Sequence, residues 1–186
     1  ERALELDPAH DPARRRLSAV LMGLGNQNEA MRVLQGSGLS QGPEAKAQLG
    51  SLALQEGRVA EALPLLQEAA PALNDAEIWG NLGMAYAMSG DMARGAEAFE
   101  KAVELRPELH EARAQLAGFY AQMGRLPEAE KLMQDVVEDQ PDNGLYHLQL
   151  AVLYFMQGKE ADAKREAARA KELDPSLPVP PELDAP

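Results

Sequence analysis

Three histidines, His10, His110 and His147, are the only imidazoles the chain offers for acid–base work or metal ligation. Metal capture on a helix needs a second ligand one turn away, and catalysis needs a nucleophile or carboxylate converging on a base. None of the three has a His or Glu four residues distant. His10 falls at a turn, His110 at a helix start and His147 one turn into a helix, so surface or capping roles are expected for all three. The acidic run EDQPDNG, residues 138–144, has the composition of a calcium loop without its alternating ligand spacing, and it reads as a turn. The chain has no cysteine, which removes disulfides, thiolate catalysis and Cys-ligated zinc. No glycine-rich phosphate loop is present. These residues supply no catalytic site, no metal site and no cofactor, and no enzyme can be argued from them.

What remains is a surface, and composition says what carries it. A hydrophobic content of 45% is enough for a packed core, but aromatics make up only 4%. A core of Ala, Leu, Val and Met suits close-packed helices better than sheets, where aromatic and β-branched residues are enriched. The expected fold class is all-α. A net charge of -12 gives no attraction to phosphate backbones or anionic membranes, so nucleic acid is not an expected partner. The basic triplet Arg14–Arg16 reads as a solvated helix face. No run of 18 apolar residues appears, which argues against direct membrane insertion. The compartment stays open between cytoplasm and periplasm. Because the chain starts with ERALELDP, already in a helical pattern and without Met, it is expected to be a piece of a longer protein.

The elements that build the surface are set by a period. Gly25, Gly57, Gly90, Gly124 and Gly158 are separated by 32, 33, 34 and 34 residues. Five residues after four of them stand Ala30, Ala62, Ala129 and Ala163, with Gly95 in the remaining copy. Tyr86, Tyr120 and Tyr154 share a 34-residue spacing, as do Pro107, Pro141 and Pro175. Within each period the apolar spacing is three and four, split by the glycine into two helices of roughly 14 residues. The glycine takes the left-handed conformation of a helix C-cap. The units are 11–42, 43–75, 76–109, 110–143 and 144–177. Residues 1–10 match the end of a preceding unit, and 178–186 form a Pro-rich tail.

The third unit carries Trp79, Leu82, Gly83 and Tyr86, then Gly90, Phe99, Ala102 and Pro107. This pattern resembles the tetratricopeptide repeat nearly position for position. The resemblance implies a right-handed superhelix of antiparallel helix pairs whose first helices line a concave groove for a segment of another protein. No single hairpin buries its apolar face, so stacked neighbours complete the core.

Several departures carry expectations of their own. GSGLSQG, residues 36–42, shortens the second helix of the first unit, and a local change of pitch is expected there. Pro64 lies just past the first turn of its helix, and a modest kink is expected. In the last helix Lys164 and Glu166 replace Leu63 and Leu65, giving the polar outer face of a terminal repeat. The tail, PSLPVPPELDAP, is expected to be extended or unstructured.

In the register that the resemblance implies, positions 2, 5, 6, 9, 12 and 13 of each unit face the groove, and their spacing of three and four places them on one helical stripe. Position 6 reads Gln48, Asn81, Gln115 and Gln149, a ladder of amides able to donate and accept hydrogen bonds. Such amides serve either a partner's backbone or simply solubility. Ser51, Leu54, Met84, Met88, Gly118, Gln122, Val152, Phe155 and Met156 flank them, the methionines acting either as adaptable contacts or as core. Arg15 and Arg16 supply the groove's only cations. Position 2 reads Glu44, Glu77 and Glu111, so capture of a terminal carboxylate is not expected. The leading expectation is a non-enzymatic scaffold binding an extended or helical protein segment. Self-assembly through the exposed end of the first unit, giving a homo-oligomer, is one alternative. An accessory role in a larger polymer-export or envelope-assembly protein is another, with Phe155 the one aromatic suited to sugar.

Overall fold

The computed structural model describes residues 11–26, 29–30, 33 and 42–184. Among these residues it is helical, with no strand. Ten helices are defined: α1 (Asp11–Gly23), α2 (Pro43–Gln55), α3 (Val59–Leu73), α4 (Ala76–Met88), α5 (Met92–Leu105), α6 (His110–Gln122), α7 (Leu126–Asp139), α8 (Gly144–Met156), α9 (Glu160–Leu173) and α10 (Pro181–Asp184). The chain divides into two compact units, residues 1–90 and 91–186.

The five periodic glycines Gly25, Gly57, Gly90, Gly124 and Gly158 have positive φ, at 78°, 73°, 88°, 76° and 72°. At Gly124 the reason is visible in the hydrogen bonds. Its N–H donates to Ala121 O at 3.0 Å, and the Arg125 N–H donates to Tyr120 O at 2.8 Å. This pairing satisfies carbonyls left open at the end of α6, and it requires a left-handed residue between them. Five residues on, Ala30, Ala62, Ala129 and Ala163 are each 0% exposed. Their methyl groups let the second helix lie close against the first.

In the first unit α3 packs on α2, and α4 packs on both. Gly50 is needed where α2 meets α3, because a Cβ there would stand 2.7 Å from Leu66 Cγ. In the second unit the chain of packed pairs runs α5–α6, α6–α7, α7–α8 and α8–α9. Phe99 and Phe119 meet there with ring centroids 5.2 Å apart.

A second periodic device joins successive hairpins. Gln67 Nε2 donates to Tyr86 Oη at 2.9 Å, Tyr120 Oη donates to Glu100 Oε1 at 2.7 Å, and Gln134 Nε2 donates to Tyr154 Oη at 2.9 Å. Each tyrosine thus hooks the second helix of the preceding hairpin. Arg125 lies 3.8 Å over the Tyr120 ring. Burial raises the Tyr120 pKa, and the bond to Glu100 adds to it.

The helix α3 runs from Val59 to Leu73 with Pro64 and also Pro71 inside it. Three expectations change. The tail is not wholly extended: Pro181 opens α10, and Leu183 is 5% exposed. Proline is suited to a first helical position, and a buried leucine with the Lys171–Asp184 bridge at 2.7 Å ties that turn to α9. His147 is not at the surface but buried, its ring spanning Glu166 Oε2 at 2.8 Å and Pro141 O at 2.9 Å. Glu166 accordingly turns toward α8 and does not form part of a polar outer face. The shortened helix at residues 36–42 and the preceding unit at 1–10, with His10, lie outside the described residues except for Gly42.

Candidate functional site

The amide ladder is distributed over the two units. In the first, α2 presents Gln48, Ser51 and Leu54, and α4 presents Asn81, Met84 and Met88. Asn81 Nδ2 donates to Ser51 Oγ at 2.9 Å, so these two predicted contact residues satisfy each other. Gln48 is half-buried, and its side-chain oxygen is enclosed without a hydrogen-bond partner. Met84 is half-buried, whereas Met88 is 51% exposed. Arg15 reaches Glu44 at 3.7 Å, Arg14 Nη1 donates to Val33 O at 2.9 Å, and Arg16 is exposed. The cations at α1 are therefore partly engaged within the unit.

In the second unit an open groove of about 350 Å³ lies between α6 and α8. From α6 come Ala114, Gln115, Gly118 and Ala121. From α8 come Leu145, Leu148, Gln149, Val152, Leu153 and Met156. Met133 of α7 reaches the same space. Predicted residues Gln115, Gly118, Gln149, Val152 and Met156 are thus brought together, while Gln122 and Phe155 stand outside the lining. Helical periodicity explains the set, since residues three and four apart share a face. The lining holds no charged group, and the Gln149 side-chain oxygen is enclosed without a partner.

The register places Ala114, Ala121, Leu145 and Leu148 on the groove-facing stripe without singling them out, and Met133 and Leu153 fall outside it. Leu145 stands at the second position of its repeat, where the second to fourth repeats have Glu44, Glu77 and Glu111. That break in a glutamate series is its signal.

At Leu145 the groove adjoins a second, polar cleft formed by Asp139, Asp142, Asn143 and Asp174. This is the EDQPDNG turn, and Asn143 caps α8 by accepting from the Leu145 N–H at 3.1 Å. Its carboxylates differ in their partners. Arg113 bonds Asp139 and holds its pKa below the ordinary value. Asp174 is also lowered, by the Ser176 hydroxyl and then the Ser176 N–H. Asp142 lies 3.6 Å from Arg169 but keeps 89% of its side chain exposed. Among the described residues, no group of three His, Asp or Glu is arranged to hold a metal ion.

Two models of the tetratricopeptide repeat match, over residues 47–110 and 86–149, and together they span more than half of the chain. The chain belongs to the tetratricopeptide repeat family. Solved structures agree with that in fold. The crystal structure of YrrB, described as a protein of this family with an unusual peptide-binding site, gives a TM-score of 0.83 at 20% identity over 96% of this chain and 93% of that one. A crystal structure of MamA gives 0.79 at 18% identity over 92% and 98%. A MamA structure from Desulfovibrio magneticus gives 0.67 at 24% identity over 73% and 77%. No curated protein matches the chain.

The fold is therefore an all-α tetratricopeptide solenoid. Tetratricopeptide repeats are a protein-interaction fold whose partners are proteins or peptides. Among the described residues no helix is long and apolar enough to cross a membrane.

Proposed function

We propose that this tetratricopeptide protein is a non-enzymatic scaffold that docks a segment of a partner protein in the groove between α6 and α8. The observation that carries this reading is the apolar face of α8. Leu145, Val152 and Met156 are 48%, 38% and 50% exposed, on one side of one helix and beside an open groove. Contiguous exposed apolar surface of this kind marks a contact site. Gln115 and Gln149 stand in the same groove as hydrogen-bonding groups for the backbone of an extended segment. Gln48, Asn81, Met84 and Met88 offer a matching stripe in the first unit. The reported peptide-binding site of YrrB supports the reading by analogy of fold.

Peptides selected from a random library against the whole chain supply the probe. Calorimetry with a selected peptide should show binding to the wild type, a several-fold loss for Gln149→Ala, and a loss of about tenfold or more for Val152→Asp. Unchanged affinity in Val152→Asp, with helix content intact, would sink the groove reading.

A further inference from the structure

Gly118 sits in the middle of α6, where glycine weakens a helix relative to alanine. Close packing explains other helical glycines here: a Cβ at Gly50 would meet Leu66 Cγ at 2.7 Å, and one at Gly144 would meet Ala170 O at 2.9 Å. At Gly118 nothing lies within 4 Å of that position. Its backbone φ is not positive either. Neither packing nor backbone conformation accounts for the missing side chain. The same position of the other repeats holds Ala19, Ser51, Met84 and Val152. What the absence does is open the groove beside Val152 and Gln149.

That space has a definite chemistry. Its volume, about 350 Å³, is near the lower end of the range for ligand pockets, which suits one or two side chains. Ala114, Ala121, Leu148 and Val152 surround it with hydrocarbon, so a charged group placed there would lose its hydration without a partner. At Leu145 the surroundings reverse. The adjoining cleft gathers Asp139, Asp142 and Asp174. Asp139 is taken up by Arg113 and Asp174 is held by Ser176, whereas Asp142, 3.6 Å from Arg169, keeps 89% of its side chain exposed to a further cation. The whole chain adds a net charge of -12.

We infer that the docked segment carries a bulky apolar residue seated over Gly118 and a lysine or arginine on its Leu145 side, set against Asp142 and Asp174. This rests on the groove reading and adds the partner's chemistry to it. The apolar residue supplies affinity through burial, and the cation fixes the direction in which the segment lies.

Random peptides selected on the wild-type chain test it. Selected sequences should share a large aliphatic or aromatic residue with a lysine or arginine to one side. Gly118→Leu, which fills the space, should lower their affinity about tenfold or more, and Gly118→Ala should lower it by less. Both variants should melt no lower than the wild type. Asp142→Asn should weaken binding a few-fold and flatten its salt dependence. Peptides that lose binding with Val152→Asp yet ignore Gly118→Leu and Gly118→Ala overturn this inference and leave the groove reading standing. Selected peptides without a cation, or with salt dependence unchanged by Asp142→Asn, overturn the acidic half. Peptides indifferent to Val152→Asp as well overturn both.

Discussion

At the residue scale, two glycines of the same helical hairpin type should respond oppositely to one added methyl group. Gly118→Ala meets open space and should stabilise the chain by about 0.5–1 kcal/mol in urea unfolding. Gly50→Ala must displace Leu66 and should destabilise it. A stabilising Gly50→Ala would show that α2 and α3 are less closely packed than the geometry indicates. His147 is the other decisive residue. Its ring nitrogens stand 2.8 Å from Glu166 Oε2 and 2.9 Å from Pro141 O, so the ring ties α9 to the turn that precedes α8. His147→Ala leaves Glu166, 15% exposed, with Arg165 at 3.4 Å as its remaining partner, and a loss of about 1–3 kcal/mol is expected. A double-mutant cycle with Glu166→Gln should show coupling between the sites, and strict additivity would contradict the bridge. The histidine bridge was not legible in the sequence. His147 and Glu166 lie 19 residues apart on facing helices, a separation that no spacing rule connects. Gly118 was placed on the groove stripe by its register, but the open space over it was not readable.

At the scale of elements, the helix ends and the links between hairpins are where the repeat is written. The periodic glycines were readable because a left-handed C-cap demands one residue type at one place. The tyrosine hooks were half-readable. Tyr86, Tyr120 and Tyr154 announced themselves by spacing, but their partners Gln67, Glu100 and Gln134 vary in type, so the shared period was hidden. Tyr154→Phe should cost about 1 kcal/mol with no change in helix content. An unchanged midpoint in urea would mean that the hydroxyl does not join α7 to α8. The cap of α5 sets a pH dependence. Asp91 accepts from the Arg94 N–H at 3.0 Å, and this backbone bond, then the Arg94 side chain, lowers its pKa. A carboxylate lowered on folding contributes stability that is present above its unfolded pKa and lost as pH falls through the folded one. Unfolding measured from about pH 5 down to about pH 2 should therefore show stability falling. Asp91→Asn, still a good cap, should reduce that slope, and an identical slope would remove Asp91 from the account.

At the scale of the whole molecule, the sequence disclosed an architecture more readily than an occupant. A repeat places the same constraint on many positions, so the buried alanines and the all-α class could both be read from one period. The tail could not, because Pro181 acts as a helix starter only where Leu183 finds a surface to cover. Of the groove between α6 and α8, Gln115, Gly118, Gln149, Val152 and Met156 were legible from their register, whereas the Asn81–Ser51 bond, between residues 30 apart, was not. The central claim is that a partner segment lies between α6 and α8. Its most direct test is an NMR titration of the isotope-labelled chain with a peptide selected from a random library. The account predicts that amide shifts cluster at Gln115, Gly118, Gln149 and Val152. Shifts confined to α7 and α9, with that cluster unmoved at saturation, would contradict it.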